Sequence, residues 1–258
     1  MVGFKLRKRR PGCDDSEVIG CGWATNPGQR ADNQDRVAVS CRWAMVSDGV
    51  GGQRGGARAA QLAVSTAAGI LGTRQGRLDE RAVRLALARA GAAVHAGRQE
   101  HAGLAAMDAT LTIAAATWVD AAASTWIVAS VGDSPAWLVT GDGAKTLTTD
   151  HSLAADLVRS GVIRPEDASS HAGRHVLLRA LATHEEPEPD LAQVTLEPGQ
   201  GLVLASDGLI GPLGLTDVWQ CWKNSDSAAS AAERLVSASV EAGASDNVTV
   251  AVLQHSRT

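Results

Sequence analysis

Four aspartates stand where apolar runs end or begin. Trp43-Ala44-Met45-Val46-Ser47 closes on Asp48-Gly49, and Trp126 to Val131 closes on Gly132-Asp133-Ser134. Leu202 to Ser206 closes on Asp207-Gly208, and Asp246-Asn247 opens a last apolar run. A buried strand that ends in a carboxylate delivers charge to the rim of a rigid layer. Several such tips brought together repel one another unless cations neutralise them. Hard divalent ions such as magnesium and manganese take oxygen ligands of this kind. Two ions about 3.5–4 Å apart can share a carboxylate and a water, and draw the pKa of that water toward neutrality. One Asp-Gly after a strand is ordinarily a turn, and Asp142-Gly143 is read as one. The repeated Ser-Asp-Gly, with Gly-Asp-Ser between the copies, points beyond turn chemistry, although spacing alone leaves both readings open.

Upstream lies Gly28-Gln29-Arg30-Ala31-Asp32-Asn33-Gln34-Asp35. An arginine on a loop entering a strand could clamp a phosphate with two parallel hydrogen bonds. A solvated surface arginine is the plain alternative. The glycine-rich segment from Val50 to Gly56 lacks the Gly-Lys-Ser/Thr of a phosphate-binding P-loop. It is read as a tight turn that lets the Gly49 carbonyl approach a metal.

The elements that must position these groups follow from periodicity. Val18 to Ala24 and Arg36 to Ser47 read as strands. Gly56 to Leu71 and Leu78 to His101 read as helices, the second with Leu78, Val83, Leu85, Leu87 and Val94 as its apolar face. Thr110 to Trp118, Ser124 to Val131 and Ala136 to Thr140 are strand-like, and their short connections require antiparallel pairing wherever they are neighbours. Ser152 to Ser160 reads as a helix and Gly161 to Pro189 as a long functional flap. Val194 to Leu196 and Gly201 to Ser206 read as strands, Ala228 to Ala242 as a helix and Asn247 to Leu253 as a final strand. Helices inserted among antiparallel strands indicate an α+β fold.

A chain of 258 residues can bury a sizeable core, and a net charge of -4 leaves no electrostatic footprint for nucleic acid. No run is long enough for a membrane span. The four cysteines show no CxxC spacing, which disfavours zinc and favours reduced thiols in a cytoplasmic protein. Residues 1–14 read as a basic disordered tail, with docking to an acidic partner or a membrane surface as the sharper alternative.

Taken in order, Arg30…Asn33-Gln34-Asp35, Ser47-Asp48-Gly49-Val50-Gly51-Gly52, Gly132-Asp133-Ser134, Thr149-Asp150-His151-Ser152, Leu178-Arg179-Ala180-Leu181, Ser206-Asp207-Gly208-Leu209 and Ser245-Asp246-Asn247-Val248-Thr249 resemble the type 2C, or PPM, family of metal-dependent protein serine/threonine phosphatases. The likeness is strongest to its bacterial branch. It implies one phosphatase domain over residues 15–258, built as a four-layer α/β/β/α sandwich of two antiparallel β-sheets flanked by helices. By the same resemblance, Asp48 bridges two Mn2+ or Mg2+ ions and the Gly49 carbonyl ligates one. Asp207 and Asp246 hold the other, with Asp35 acting beside it directly or through water. Asp133 serves a third, weaker ion together with Asp207, and Arg30 binds the substrate phosphate. The implied reaction is hydrolysis of phosphoserine and phosphothreonine by a metal-activated bridging water, without a phosphoenzyme. The implied partners are phosphorylated proteins, with a serine/threonine kinase acting on the same substrates.

Three positions depart from the family pattern. Gln34 replaces a common Glu. Val50 stands where eukaryotic relatives carry a proposed general-acid His, so the leaving oxygen must take its proton from water or another group. Asp108-Ala109-Thr110 replaces Gly-Thr-Thr. These departures keep a non-catalytic phosphoprotein-binding module in view, and a metallophosphatase for small phosphoesters is a third reading. His151 is expected to be structural, and His171, His175 and His184 lack zinc-ligand spacing. Trp118, Trp126 and Trp137 are expected to pack in the core or on a sheet face.

Overall fold

A computed structural model describes residues 18–100, 102–183 and 187–256. The basic tail of residues 1–14 and His184 lie outside them.

The strand-like runs assemble as two five-stranded antiparallel sheets. The first has the order β1 (Ile19–Asn26), β12 (Val248–His255), β11 (Gly201–Ala205), β8 (Ala136–Val139) and β9 (Ala144–Thr146). The second has the order β10 (Asp190–Leu196), β7 (Ser124–Val131), β6 (Leu111–Val119), β3 (Trp43–Ser47) and β2 (Arg36–Ser40). A short ladder, β4 (Gly49–Val50) with β5 (Asp108–Ala109), sits beside the end of β3. Ile19, Ala44, Val46, Trp126, Val128, Leu202, Leu204 and Leu253 fill the space between the two sheets. These residues alternate with positions that face the helices, as the two-residue period of a strand requires.

Helices cover both outer faces. α1 (Gly52–Thr73) and α2 (Glu80–Arg98) pack on the second sheet through Ala63, Leu71, Val83, Leu87 and Val94. α4 (Leu215–Lys223) and α5 (Ala228–Glu241) pack on the first sheet through Val218, Trp222, Leu235 and Val236. The expected four-layer α/β/β/α sandwich is the observed architecture. α2 begins where the Asp79 side chain accepts from the Ala82 N–H at 2.8 Å, a cap that satisfies one of the free donors of the first turn. α5 begins in the same way at Ser227.

Several readings are corrected. Leu85 belongs to the outer face of α2 and is 38% exposed. The first helix starts at Gly52, four residues earlier than periodicity indicated, because Gly51 adopts a φ of 116° and turns the chain into it. α4 went unread, although Gly214 donates to Asp217 at 2.9 Å and Leu215, Val218, Trp219 and Trp222 recur at helical spacing. Cys41, expected as a reduced thiol, is disulfide-bonded. The flap carries α3 (Leu153–Arg159) at its entrance and a 3-10 turn over Pro165–Ser170.

The strands β6, β7 and β8 do not form one meander. β6 and β7 pair, but β8 crosses to the other sheet and pairs with β11 and β9. The crossing runs through Gly132-Asp133-Ser134-Pro135, where Gly132 has a φ of 113°. A side chain at Gly132 would strike Thr110, so only glycine fits. This switch carries Asp133 to the end of the sandwich where Asp48 and Asp207 also emerge.

Among the described residues, no helix is long and apolar enough to cross a membrane. Trp126 lies fully in the core with its indole N–H on Ser124 Oγ, and Trp137 is also buried. Trp118 lies at the end of β6, half exposed, with the Arg77 guanidinium 4.6 Å from its ring centroid.

Candidate metal centre

Asp48, Asp133 and Asp207 lie just past the ends of β3, β7 and β11, Asp35 immediately precedes β2, and Asp246 stands two residues before β12. Both sheets therefore contribute carboxylates to one end of the molecule. Asp48 lies at the centre. It is within hydrogen-bonding reach of both Asp35 and Asp207. Burial first, and then the charges of Asp35, Asp207, Asp133 and Asp246, push its carboxyl well above the ordinary range. Asp133 is raised by burial and then by Asp207 and Asp150. Asp207 is raised by burial and then by Asp246. Burial lifts Asp35 to about 6, against hydrogen bonds from Ser206 and Thr249 that lower it. Carboxylates that disturb one another in this pattern share one small volume.

Three buried oxygens, Asp35 Oδ1, Asp133 Oδ1 and Asp207 Oδ1, have no hydrogen-bond partner. Buried polar atoms are almost always satisfied, so three orphans of one chemical type in one place indicate a cation as their natural partner. Hard oxygen donors suit magnesium or manganese. The side chains are gathered without being drawn in. Among the described residues no three acidic or histidine groups are spaced to hold an ion as they stand. Asp246 Oδ2 turns to Arg30 Nη2 at 2.8 Å, Asp35 Oδ2 accepts from Ser206 Oγ at 2.7 Å, and Asp207 Oδ2 lies 3.7 Å from His175 Nδ1.

The pairing of Arg30 with Asp246 puts the expected phosphate clamp at the edge of the cluster, with its side chain 60% exposed. The segment from Val50 to Gly56, expected as one tight turn, turns only as far as Gly51 and from Gly52 is the start of α1, which packs closely on Gly49. A methyl group at Gly56 would collide with the Gly49 carbonyl, and one at Gly49 would collide with the Gly56 carbonyl. His151 is structural. Its Nδ1 accepts from the Gly132 N–H at 3.0 Å, so Nε2 carries the proton and faces Asp190 Oδ2 at 3.1 Å. Burial lowers its pKa and keeps the ring neutral.

Beneath the carboxylates lies a polar layer that the motifs alone did not reveal. The Asp48 N–H donates to Thr110 Oγ1 and the Thr110 N–H donates to the Asp48 carbonyl, both at 2.9 Å. Thr110 Oγ1 also meets Ser134 Oγ at 2.7 Å, which joins the Asp48 turn to the Asp133 turn. Asn247 Oδ1 accepts from the Gln34 N–H, and its Nδ2 donates to the carbonyls of Pro27 and Asp32. The loop bearing Arg30 is thereby fixed to the loop bearing Asp246. Thr110→Val keeps the shape and the backbone bond but removes the two links made by Oγ1. We expect it to weaken manganese binding about tenfold, the usual effect of losing an outer partner of a ligand. Isothermal titration against the unaltered protein checks this.

A family model described as Protein phosphatase 2C matches residues 28–248. The chain belongs to the protein phosphatase 2C family. It is 34% identical over 127 residues to the protein phosphatase PhpP of Streptococcus pneumoniae, covering 49% of this chain and 52% of that protein. It is 32% identical over 228 residues to the serine/threonine protein phosphatase PstP of Mycobacterium tuberculosis, covering 86% of this chain and 42% of that protein. The chain thus spans about half the length of the curated relatives it matches. The catalytic domain of PstP in complex with two manganese ions superposes with a TM-score of 0.83 at 27% identity, covering 93% of this chain and 99% of that one.

Within this 2C family member, the departure at Asp108 has a structural reason. Its carboxylate accepts from Arg98 Nη2 at 2.8 Å, from the N–H groups of Ala109 and Ala182 and from Thr183 Oγ1. Arg98 also donates to the carbonyls of Met107 and Ala182. The pair ties the end of α2 to the flap and to the β4–β5 ladder beside Gly49. Asp108→Ala strands a mostly buried guanidinium and is expected to cost about 2–3 kcal/mol, read as a lower urea midpoint. Val50 is 39% exposed opposite Asp108 in that ladder, and supplies no acid there.

Proposed function

We propose that this chain is a divalent-metal-dependent protein phosphatase that hydrolyses phosphoserine and phosphothreonine in proteins. The observation that carries the reading is the buried set of converging carboxylates with three orphaned oxygens. Its family, and the two manganese ions in the superposable PstP domain, support it. Asp48, the Gly49 carbonyl, Asp207, Asp246 and Asp35 are the residues that would hold two ions, and Asp133 with Asp207 a third. Bound divalent ions supply Lewis acidity and a water of lowered pKa. The chain's own part is to orient and to exclude. The Thr110 and Asn247 network fixes the ligands, and Arg30, which reaches Asp246 across the loop, grips the phosphate oxygens. Val50 leaves the departing serine or threonine oxygen to be protonated by water. The natural substrates are phosphoproteins, and a serine/threonine kinase supplies the phosphoryl groups that are removed.

The test is release of phosphate from a phosphothreonine peptide and from para-nitrophenyl phosphate, with and without manganese. Metal-dependent turnover of both is expected. Peptide binding without turnover at any metal concentration would make the protein a binding module.

A further inference from the structure

A cleft of about 260 Å3 opens beside the carboxylate cluster and shares Asp133 with it. Trp137 on β8 and Leu213 line it as buried residues. Ile210, three residues beyond Asp207, and Leu215, the first residue of α4, also line it, yet they are 42% and 41% exposed. Asp150 stands with Asp133 as its acidic lining, one oxygen of Asp150 accepting from the Ser152 N–H at 2.6 Å. The catalytic reading uses none of these four apolar side chains. Two large aliphatic groups left half bare next to a site mark a contact surface.

We propose that this cleft is a specificity subsite that takes an apolar side chain of the substrate peptide within two residues of the phosphorylated one. The inference rests on the phosphatase reading, since it needs a phosphoresidue held at the carboxylates. Continuity and size support it. Consecutive Cα atoms are about 3.8 Å apart and alternate side chains share a face, so a peptide anchored at the cluster and running toward β8 brings a side chain within two residues over the adjoining cleft. The volume lies below the roughly 300–1,000 Å3 of small-molecule pockets and suits a single side chain. The exposed carboxylate of Asp150 repels an acidic neighbour and favours a basic one. The occupant is therefore an aliphatic residue, with lysine or arginine beside it and not aspartate or glutamate.

The experiment compares phosphothreonine peptides that carry Leu, Gly, Lys or Asp at the two positions on either side, with para-nitrophenyl phosphate as a substrate that has no flanks. The unaltered protein should give kcat/KM in the order Leu, Gly, Asp across about a tenfold range, the scale of one partly buried aliphatic contact. Leu215→Glu places a carboxylate in the first turn of α4, where the helix dipole tolerates it. It should abolish the Leu preference and raise turnover of the Lys peptide, with para-nitrophenyl phosphate turnover unchanged within about twofold. Ile210→Ala should weaken the Leu preference by itself and serves if the first variant does not fold. Equal turnover of the Leu, Gly and Asp peptides, or parallel loss on peptides and para-nitrophenyl phosphate, would overturn the subsite. A protein inert to para-nitrophenyl phosphate would overturn the phosphatase reading instead, and the same peptide series measured by fluorescence polarisation would then judge the cleft alone.

Discussion

Asp48→Asn should lower manganese-dependent turnover of para-nitrophenyl phosphate by about a thousandfold and, in the same protein, raise the melting temperature measured without metal. Asp48 is the carboxylate that all four other aspartates of the cluster disturb. It reaches Asp35 and Asp207, and its pKa is raised by burial and then by four neighbouring charges. An amide in its place keeps the volume and hydrogen-bonding capacity but removes one of the charges that a pair of cations would bridge. Loss of a shared ligand removes several kcal/mol of electrostatic stabilisation from the transition state, at about 1.4 kcal/mol per factor of ten. The metal-free fold loses a repulsive buried charge instead, and we expect a gain of about 1 kcal/mol, or roughly 2–4 °C in a chain of this size. Opposite movement of activity and stability separates a ligand from a structural aspartate. A mutation that only damaged the fold would lower both.

The second large effect is a dependence of stability on pH that metal reverses. Asp35 is lifted from 3.8 to about 6, chiefly by burial, and burial raises Asp48 and Asp133 in the same direction. A carboxyl with a raised folded pKa holds its proton more tightly in the folded state. Its contribution to stability is complete below about 3.8 and is lost as pH rises through about 6. Asp48 and Asp133 act in the same sense. The metal-free protein should therefore melt lower at pH 7.5 than at pH 5. Divalent ions compete with those protons, so manganese should stabilise strongly at pH 7.5 and weakly at pH 5. At a hundred times its dissociation constant, one bound ion adds about 2.7 kcal/mol. Differential scanning fluorimetry at the two pH values, with and without manganese, reads the effect. Equal metal stabilisation at both pH values would contradict it.

The site was legible because its signals are local. A strand closed by Asp-Gly or Gly-Asp-Ser announces a carboxylate at a tip within a few residues, and three such signals, at Asp48, Asp133 and Asp207, precede Asp246 at the head of the last run in the family's order. The α+β class followed from the same runs, and the four-layer sandwich from the family resemblance. What stayed hidden depends on contacts far apart in the chain. Thr110 meets Asp48 across 62 residues and Asn247 meets Gln34 across 213, and no spacing rule joins such partners. The departure of β8 to the opposite sheet was hidden because short connections constrain the direction of a strand and leave its sheet open. Leu85 was misplaced because a run of Leu and Val through an alanine-rich helix offers more apolar positions than one face can bury. α4 was readable in retrospect, since Leu215, Val218, Trp219 and Trp222 recur at helical spacing behind a glycine and an aspartate cap. Asp108 looked anomalous only until its partner Arg98, ten residues earlier, was placed beside it.

Calorimetric titration of manganese into the metal-free protein at pH 7 tests the central claim most directly. Saturable binding of at least two ions per chain is expected, with the tighter events lost in Asp48→Asn and Asp207→Asn. Absence of binding, or an isotherm identical in all three proteins, would show that the gathered carboxylates hold no metal.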